Sequence, residues 1–374
     1  MSGLGDTLAG LAAIKKTFAG AAPHFGGDSR METVRGFGFN PGALKMLTYV
    51  PDGLPAGAPL VVVLHGCTQG AAAHAASAGW LTLADRHGFA VLAPEQDAAN
   101  NPNRCFNWFE PADTMRGGGE AASIHAMIAH MIKTHGLDSS RVFITGLSAG
   151  GAMTAAMLAA YPETFAAGAV IAGLPVGAAG NVQQALATMR HATALPGSDL
   201  KSLVTRAAPP PKRWPRLTIW QGAADATVAP GNAGALARQW TALLDLPPTP
   251  DTLEMEGRWT RQRWLGDDGA VMVETNTLAG LGHGMPLAAS GADAIGGAAP
   301  YMIETGISSA LEIARFWGLA PAGPAMRARP RAEAKSKPHA AGIGAGVMHA
   351  VSPHVSAKVG DVIAKALRSA GLMR

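Results

Sequence analysis

Unbroken apolar runs alternate along this chain with stretches of helical spacing. Leu60–Leu64 (LVVVL) is β-branched and bounded by turn residues, the pattern of a strand buried on both faces of a parallel sheet. Phe89–Ala93, Val142–Thr145, Ala169–Ala172 and Leu217–Trp220 repeat it, and Val271–Thr277 adds one more strand. Upstream, residues 22–43 are Gly-rich and read as irregular, with a turn at Asn40-Pro41-Gly42. Leu44–Val50 then reads as a strand closed by Pro51-Asp52-Gly53. Helical spacing predicts helices over Trp80–His87, Glu120–His135, Ala149–Ala160, Asn232–Leu244 and Ile303–Phe316. Strands that alternate with helices of this length specify an α/β protein with a doubly wound, mostly parallel sheet.

Two stretches depart from the alternation. Between Leu174 and Arg216 lies an insertion, containing Pro209-Pro210-Pro211, that is too long for an ordinary connection. It is expected near the site, either as a cover or as a passive surface excursion. After Gly318 the composition shifts to Ala, Pro, Gly, Arg and Lys, followed by an amphipathic pattern through Val355, Val359, Val362, Ile363, Ala366 and Leu367. The chain therefore divides into an amino-terminal helix and irregular segment (1–34), a catalytic body (35–318), and a basic linker with a carboxy-terminal helix (319–374).

Composition narrows the class. With 48% apolar and 15% charged residues, global disorder is excluded. The 47 glycines have no three-residue period, and two cysteines are too few for a disulfide scaffold or a four-cysteine zinc site. The net charge of +4 is a property of the tail, because residues 319–374 carry a net +7 and the body a net −3. A slightly acidic body argues against nucleic acid as a partner. No run reaches the roughly 20 apolar residues of a membrane-spanning helix. At the amino terminus Asp6 precedes the apolar stretch and Lys15 and Lys16 follow it, the reverse of a signal peptide. An amphipathic helix and a cytoplasmic location are expected there, with secretion by another route left open.

The chemistry begins at Gly146-Leu147-Ser148-Ala149-Gly150. This G-x-S-x-G follows a buried strand and opens a helix, the context of a nucleophile elbow. A serine needs a base, and in this arrangement an acid and then a histidine follow in the chain. Asp225 stands just beyond the Leu217–Trp220 strand, where open α/β sheets place their sites. His283 stands in the loop Gly280-Leu281-Gly282-His283-Gly284. Ser148, Asp225 and His283 are thus expected to act as nucleophile, orienting acid and general base. The oxyanion donors expected are the backbone N–H groups of Ala149 and of Cys67, in the loop after the first buried strand. His65, directly after that strand, reads as a loop-shaping residue.

LHGCTQ, PEQ…NRCFNWF, GLSAGGAM, the Asp225 segment and GLGHG, in this order, resemble the polyhydroxybutyrate depolymerase-type esterases of the α/β-hydrolase superfamily. That family also contains feruloyl and acetylxylan esterases. The resemblance covers roughly residues 35–318 and implies the α/β-hydrolase fold, the same triad and the same oxyanion hole. It also places Glu95, Gln96, Asn107 and Trp108 in segments that line or buttress the cleft. Trp108, Asn107 and Gln96 are the substrate-contact candidates, Trp108 foremost, since an indole beside the serine packs on an apolar acyl chain. Secreted relatives pair the cysteines that correspond to Cys67 and Cys105. The resemblance implies that these two sulfurs are close, and both redox states stay open.

The expected function is serine-dependent hydrolysis of carboxylic esters, needing no metal or cofactor. The expected partner is an ester or polyester of 3-hydroxyacids. A feruloyl or acetylxylan esterase, or a general short-chain carboxylesterase, is the alternative within the class. A non-catalytic granule- or surface-binding protein is the alternative outside it. The carboxy-terminal helix is open to docking on the body, contact with a granule surface, or homodimerisation.

Overall fold

The computed structural model describes residues 30–324 and Met326, which lie within one compact unit. The expected amino-terminal helix and the amphipathic segment after residue 350 lie outside the described residues. In chain order the strands are β1 (Glu32–Val34), β2 (Lys45–Tyr49), β3 (Leu60–Leu64), β4 (Ala90–Glu95), β5 (Val142–Leu147) and β6 (Ala167–Ile171). They continue as β7 (Arg216–Gly222), β8 (Thr252–Glu256), β9 (Trp259–Leu265), β10 (Val271–Leu278), β11 (Met285–Leu287) and β12 (Met302–Glu304). The helices are α1 (Ala71–Ser77), α2 (Trp80–His87), α3 (Pro111–Thr114), α4 (Gly119–His135), α5 (Ala149–Ala160), α6 (Val182–Arg190), α7 (Gly197–Thr205), α8 (Gly231–Leu243) and α9 (Ser309–Trp317).

Ten strands form one sheet in the order β1-β2-β4-β3-β5-β6-β7-β10-β9-β8, whose centre from β4 to β10 is parallel. Every residue of β3 is buried, and its side chains divide between two cores. Leu60, Val62 and Leu64 pack with residues of α4, α5 and α8. Val61 and Val63 pack on the other face with α1, α2 and α9. Each such aliphatic side chain contributes about 1.5–3 kcal/mol of burial, which explains why the run tolerates no polar position. This is the expected α/β-hydrolase architecture.

The strand order places the site. From β3 the chain crosses to β4 on one side and then returns past β3 to β5 on the other. Open α/β sheets bind ligands at such a reversal, beyond the carboxyl ends of the strands. The loop after β3 carries Cys67, and the turn after β5 carries Ser148.

Three stretches differ from the sequence-based expectation. Residues 22–43 were expected to be irregular, but Glu32–Val34 pairs antiparallel with β2. Ile303–Phe316 was expected to be one helix, yet Met302–Glu304 is a strand paired with Met285–Leu287, and the helix starts after the Ser308 cap. Pairing with a distant partner overrides the local helical spacing there. The third is the antiparallel extension β8–β9, which the apolar-run pattern did not reveal. Its alternate positions carry charges that pair across strands, with Arg261 donating to Glu254 at 2.7 Å and Arg263 to Glu274 at 2.8 Å. The insertion contains two helices, α6 and α7. Among the described residues no helix is long and apolar enough to cross a membrane.

Candidate active site

Ser148 sits at the amino-terminal cap of α5 with φ 58° and ψ −116°. A non-glycine residue held there costs on the order of 1–3 kcal/mol, and such strain collects at functional sites. The two glycines of the motif are required by contact. A Cβ on Gly150 would stand 2.5 Å from the carbonyl oxygens of Leu64 and His65, and one on Gly146 would stand 2.3 Å from that of Gly150. The elbow closes only where β3, β5 and α5 touch backbone to backbone.

The structure brings Ser148, His283 and Asp225 together from three separate loops. His283 Nε2 lies 3.0 Å from Ser148 Oγ, and its Nδ1 lies 2.8 Å from Asp225 Oδ2. The Asp225 side chain is wholly buried and that of His283 is 7% exposed. A carboxylate buried to this degree needs donors on both oxygens. The N–H groups of Thr227 and Val228 donate to Oδ1, each at 2.8 Å, and Gln221 Nε2 donates to Oδ2 at 3.0 Å. Gly222 lets the histidine loop reach this strand, since a Cβ there would stand 2.3 Å from the Leu281 carbonyl oxygen. Tyr301 presents an edge to the imidazole with ring centroids 6.0 Å apart. Burial raises its phenol pKa.

The backbone N–H groups of Cys67 and Ala149 both border the serine pocket. Among the described residues neither donates to another protein group. The Cys67 loop is fastened on all sides. Gly66 N–H donates to Gln69 Oε1 at 2.8 Å, and Gln69 Nε2 donates to the Pro300 carbonyl at 3.1 Å. Thr68 N–H donates to the Asn103 carbonyl at 2.8 Å. The two sulfurs are close, as the resemblance implies: Cys67 and Cys105 are joined as a disulfide in this structure, with Cα atoms 4.3 Å apart. Such a rim fixes Cys67 beside the serine, and backbone N–H groups without a protein acceptor are the donors that a developing oxyanion needs.

Around Ser148 the walls are apolar: Trp108, Phe109, Leu174, Leu186, Met189 and Val228 line a cleft of about 370 Å³, counting space open to solvent. Trp108 is among these, as expected. Gln96 and Asn107 are not among them. Gln96 is completely buried. Its N–H donates to His65 Nε2 at 3.1 Å, and its side-chain amide donates to the Cys105 carbonyl at 3.2 Å and to Glu120. Asn107 donates its N–H to Glu120 Oε2 at 2.9 Å and accepts from Asn101 at 3.0 Å. Both residues hold the Cys105–Trp108 loop from behind. Gln96 thus spends its polar groups on protein partners and is buried away from the cleft, while Asn107 is half-buried and tied to Glu120 and Asn101. His65, also completely buried, shapes the loop as expected, its Nδ1 lying 2.8 Å from the Gly66 carbonyl.

Sequence reasoning missed Gln221, Gln69 and Glu120. Gln221 lies in the segment that marked Asp225, but nothing in its spacing shows that it folds back on the carboxylate. Glu120 reads as an ordinary first-turn helix acid. Desolvation, with Asp113 nearby, pushes its pKa up to about 8. The insertion also contributes more than surface, because Leu174, Leu186 and Met189 form one wall of the cleft.

The profile of the Esterase PHB depolymerase family matches residues 44–247. The chain is 43% identical over 290 residues to poly(3-hydroxyalkanoate) depolymerase C of Paucimonas lemoignei, covering 76% of this chain and 69% of that protein. It is 30% identical over 261 residues to feruloyl esterase B of Talaromyces funiculosus, covering 68% and 72% respectively. Among solved structures it is similar to the acetyl xylan esterase from Aspergillus awamori, with a TM-score of 0.66, 25% identity, and coverage of 78% of this chain and 99% of that one.

Proposed function

The chain belongs to the Esterase PHB depolymerase family, whose members hydrolyse carboxylic esters, and from that premise we propose that it cleaves esters of 3-hydroxyacids through an acyl-enzyme on Ser148. The observation that carries this reading is the relay from Ser148 Oγ to His283 at 3.0 Å and from His283 to Asp225 at 2.8 Å.

In this mechanism His283 Nε2 removes the Ser148 proton as Oγ attacks the ester carbonyl. Asp225 holds the Nδ1–H tautomer and stabilises the imidazolium. The oxyanion receives the N–H groups of Ala149 and Cys67, and α5 directs its positive end at the same point. Collapse of the tetrahedral intermediate expels the alcohol, which takes the proton from His283. Water, deprotonated by His283, then attacks the acyl-serine and releases the acid.

The apolar lining around Ser148 and the similarity to a hydroxyalkanoate depolymerase favour short aliphatic hydroxyacyl groups over sugar acetates. Turnover of 3-hydroxybutyrate oligomers, compared with that of feruloyl and acetylated-sugar esters, tests the choice of substrate. Fluorophosphonate labelling, lost in Ser148→Ala, tests the nucleophile; folded protein that takes no label would sink the reading. A bridge at Cys67–Cys105 persists in an oxidising compartment. Alkylation of the non-reduced native protein tests the bridge itself, since two free thiols would refute it.

A further inference from the structure

A second, larger groove adjoins the serine cleft, and Trp108 lines both. Ala149 stands at the serine end of α5, and Ala152 and Ala156, on the same helix, line the second groove. That progression extends about 10 Å along the helix at 1.5 Å per residue. Met115 and Val176 add apolar surface, and the space amounts to roughly 1080 Å³ including that open to solvent, against 370 Å³ around Ser148. The groove is the larger of the two spaces and extends the serine cleft along α5.

The lining contains one charge. Among the described residues that border either space, Arg206 alone is ionic, with no acid beside it. Its guanidinium makes no hydrogen bond or ion pair among the described residues and is exposed at the carboxyl end of α7. Arg116 and Arg261, by contrast, are tied up in ion pairs with Glu163 and Glu254.

We infer that this groove binds the leaving half of an oligo(3-hydroxyalkanoate) and that Arg206 reads its terminal carboxylate. The inference rests on the polyester reading of the Ser148 site. Its polarity follows from the chemistry of the chain. Cleaving one ester leaves a carboxylic acid on the acyl half and a hydroxyl on the other half. Before cleavage, the only free carboxylate of such an oligomer ends the half that departs as alcohol. An arginine that recognises that anion therefore holds the leaving group, and the apolar walls take the alkyl branches between the two ends. Polymer interior lacks this charge, so the device favours soluble oligomer over solid polyester.

The test compares the full-length enzyme on 3-hydroxybutyrate trimer as free acid and as methyl ester. The expected kcat/KM ratio is about two- to five-fold in favour of the acid at low salt, falling in 0.5 M NaCl. Arg206→Gln should bring the ratio to about one, Arg206→Glu should invert it, and Arg206→Lys should restore part of it. Because the readout is a ratio within one protein, a loss of folded enzyme does not mimic the effect. Equal turnover of acid and methyl ester by the unmodified enzyme overturns the inference, as does a preference that survives in Arg206→Gln. If a short p-nitrophenyl ester is hydrolysed but neither trimer is, the polyester reading fails and the groove's occupant with it. If Ser148 takes no fluorophosphonate label either, the esterase mechanism itself is what failed.

Discussion

Gln221 and Asp225 meet at one oxygen: Gln221 Nε2 donates at 3.0 Å to Asp225 Oδ2, the atom that faces His283 Nδ1 at 2.8 Å. The glutamine also donates to the carbonyls of Gly222 and Val228, at 3.3 and 3.2 Å, so its amide is held on three sides. It therefore fixes the direction in which the carboxylate points without touching substrate.

Replacing Gln221 with Leu removes a charge-directed hydrogen bond worth about 1.5–3 kcal/mol. The expected result is a fall in kcat of roughly 10- to 100-fold with KM little changed, read by steady-state kinetics on a short ester. A rise in KM alone would show that Gln221 serves binding and not orientation.

Asp225→Asn should cost more. The Thr227 and Val228 N–H donors still reach Oδ1, but the amide presents the wrong partner to His283 Nδ1 or turns away. A loss of about 10⁴ in kcat is expected, with the circular dichroism spectrum retained.

Cutting the Cys67–Cys105 bridge, by Cys105→Ser or by reduction, acts on both stability and chemistry. The bridge closes a loop with a sequence separation of 38, and in the chain-entropy model that constraint is worth about 4 kcal/mol. The Thr68 N–H bond to Asn103 still tethers the loop, so the fold should persist with a lower Tm. The same variant should lose roughly ten-fold in kcat, because the Cys67 amide is no longer held in place. A variant with lowered Tm and unaltered kcat would separate the bridge from the oxyanion rim.

Glu120 makes stability depend on pH. Its pKa is raised to about 8 by desolvation and by Asp113, from an unfolded value of 4.5. The native state therefore holds a proton that the unfolded chain releases between those values. Stabilisation from this site is fully present below pH 4.5, declines as pH rises toward 8, and is constant above it. The span is on the order of 5 kcal/mol. In Glu120→Gln this decline should vanish, so urea midpoints measured from pH 5 to 9 should fall in the parent protein and stay flatter in the variant. Parallel curves would overturn the assignment.

Much of the fold was legible because short-range rules write it into the chain. Leu60–Leu64 is buried on both faces, so it shows as an unbroken apolar run, and Ala149–Ala160 shows as a helix opened by the elbow. Strands β8 and β9 carry Glu254, Arg261 and Arg263, whose partners lie on other strands, so no apolar run marks them. Likewise Met302–Glu304 becomes a strand only because Met285–Leu287 is there to pair with it.

For the site the division is similar. The order of Ser148, Asp225 and His283 along the chain, and the glycines that the elbow needs, are properties of sequence, since each depends on local backbone geometry. The separation of Trp108 from Gln96 and Asn107 is not. One indole faces the cleft while its neighbours spend their polar groups on Glu120 and Asn101, and burial decides that only once the loop is packed. The same holds for Gln221 beneath Asp225 and for Arg206 at the end of its groove. Sequence determined which chemistry the chain carries, through spacing and turn geometry; tertiary packing decided which side chains meet the substrate, because desolvation and pairing depend on neighbours that are distant in the chain.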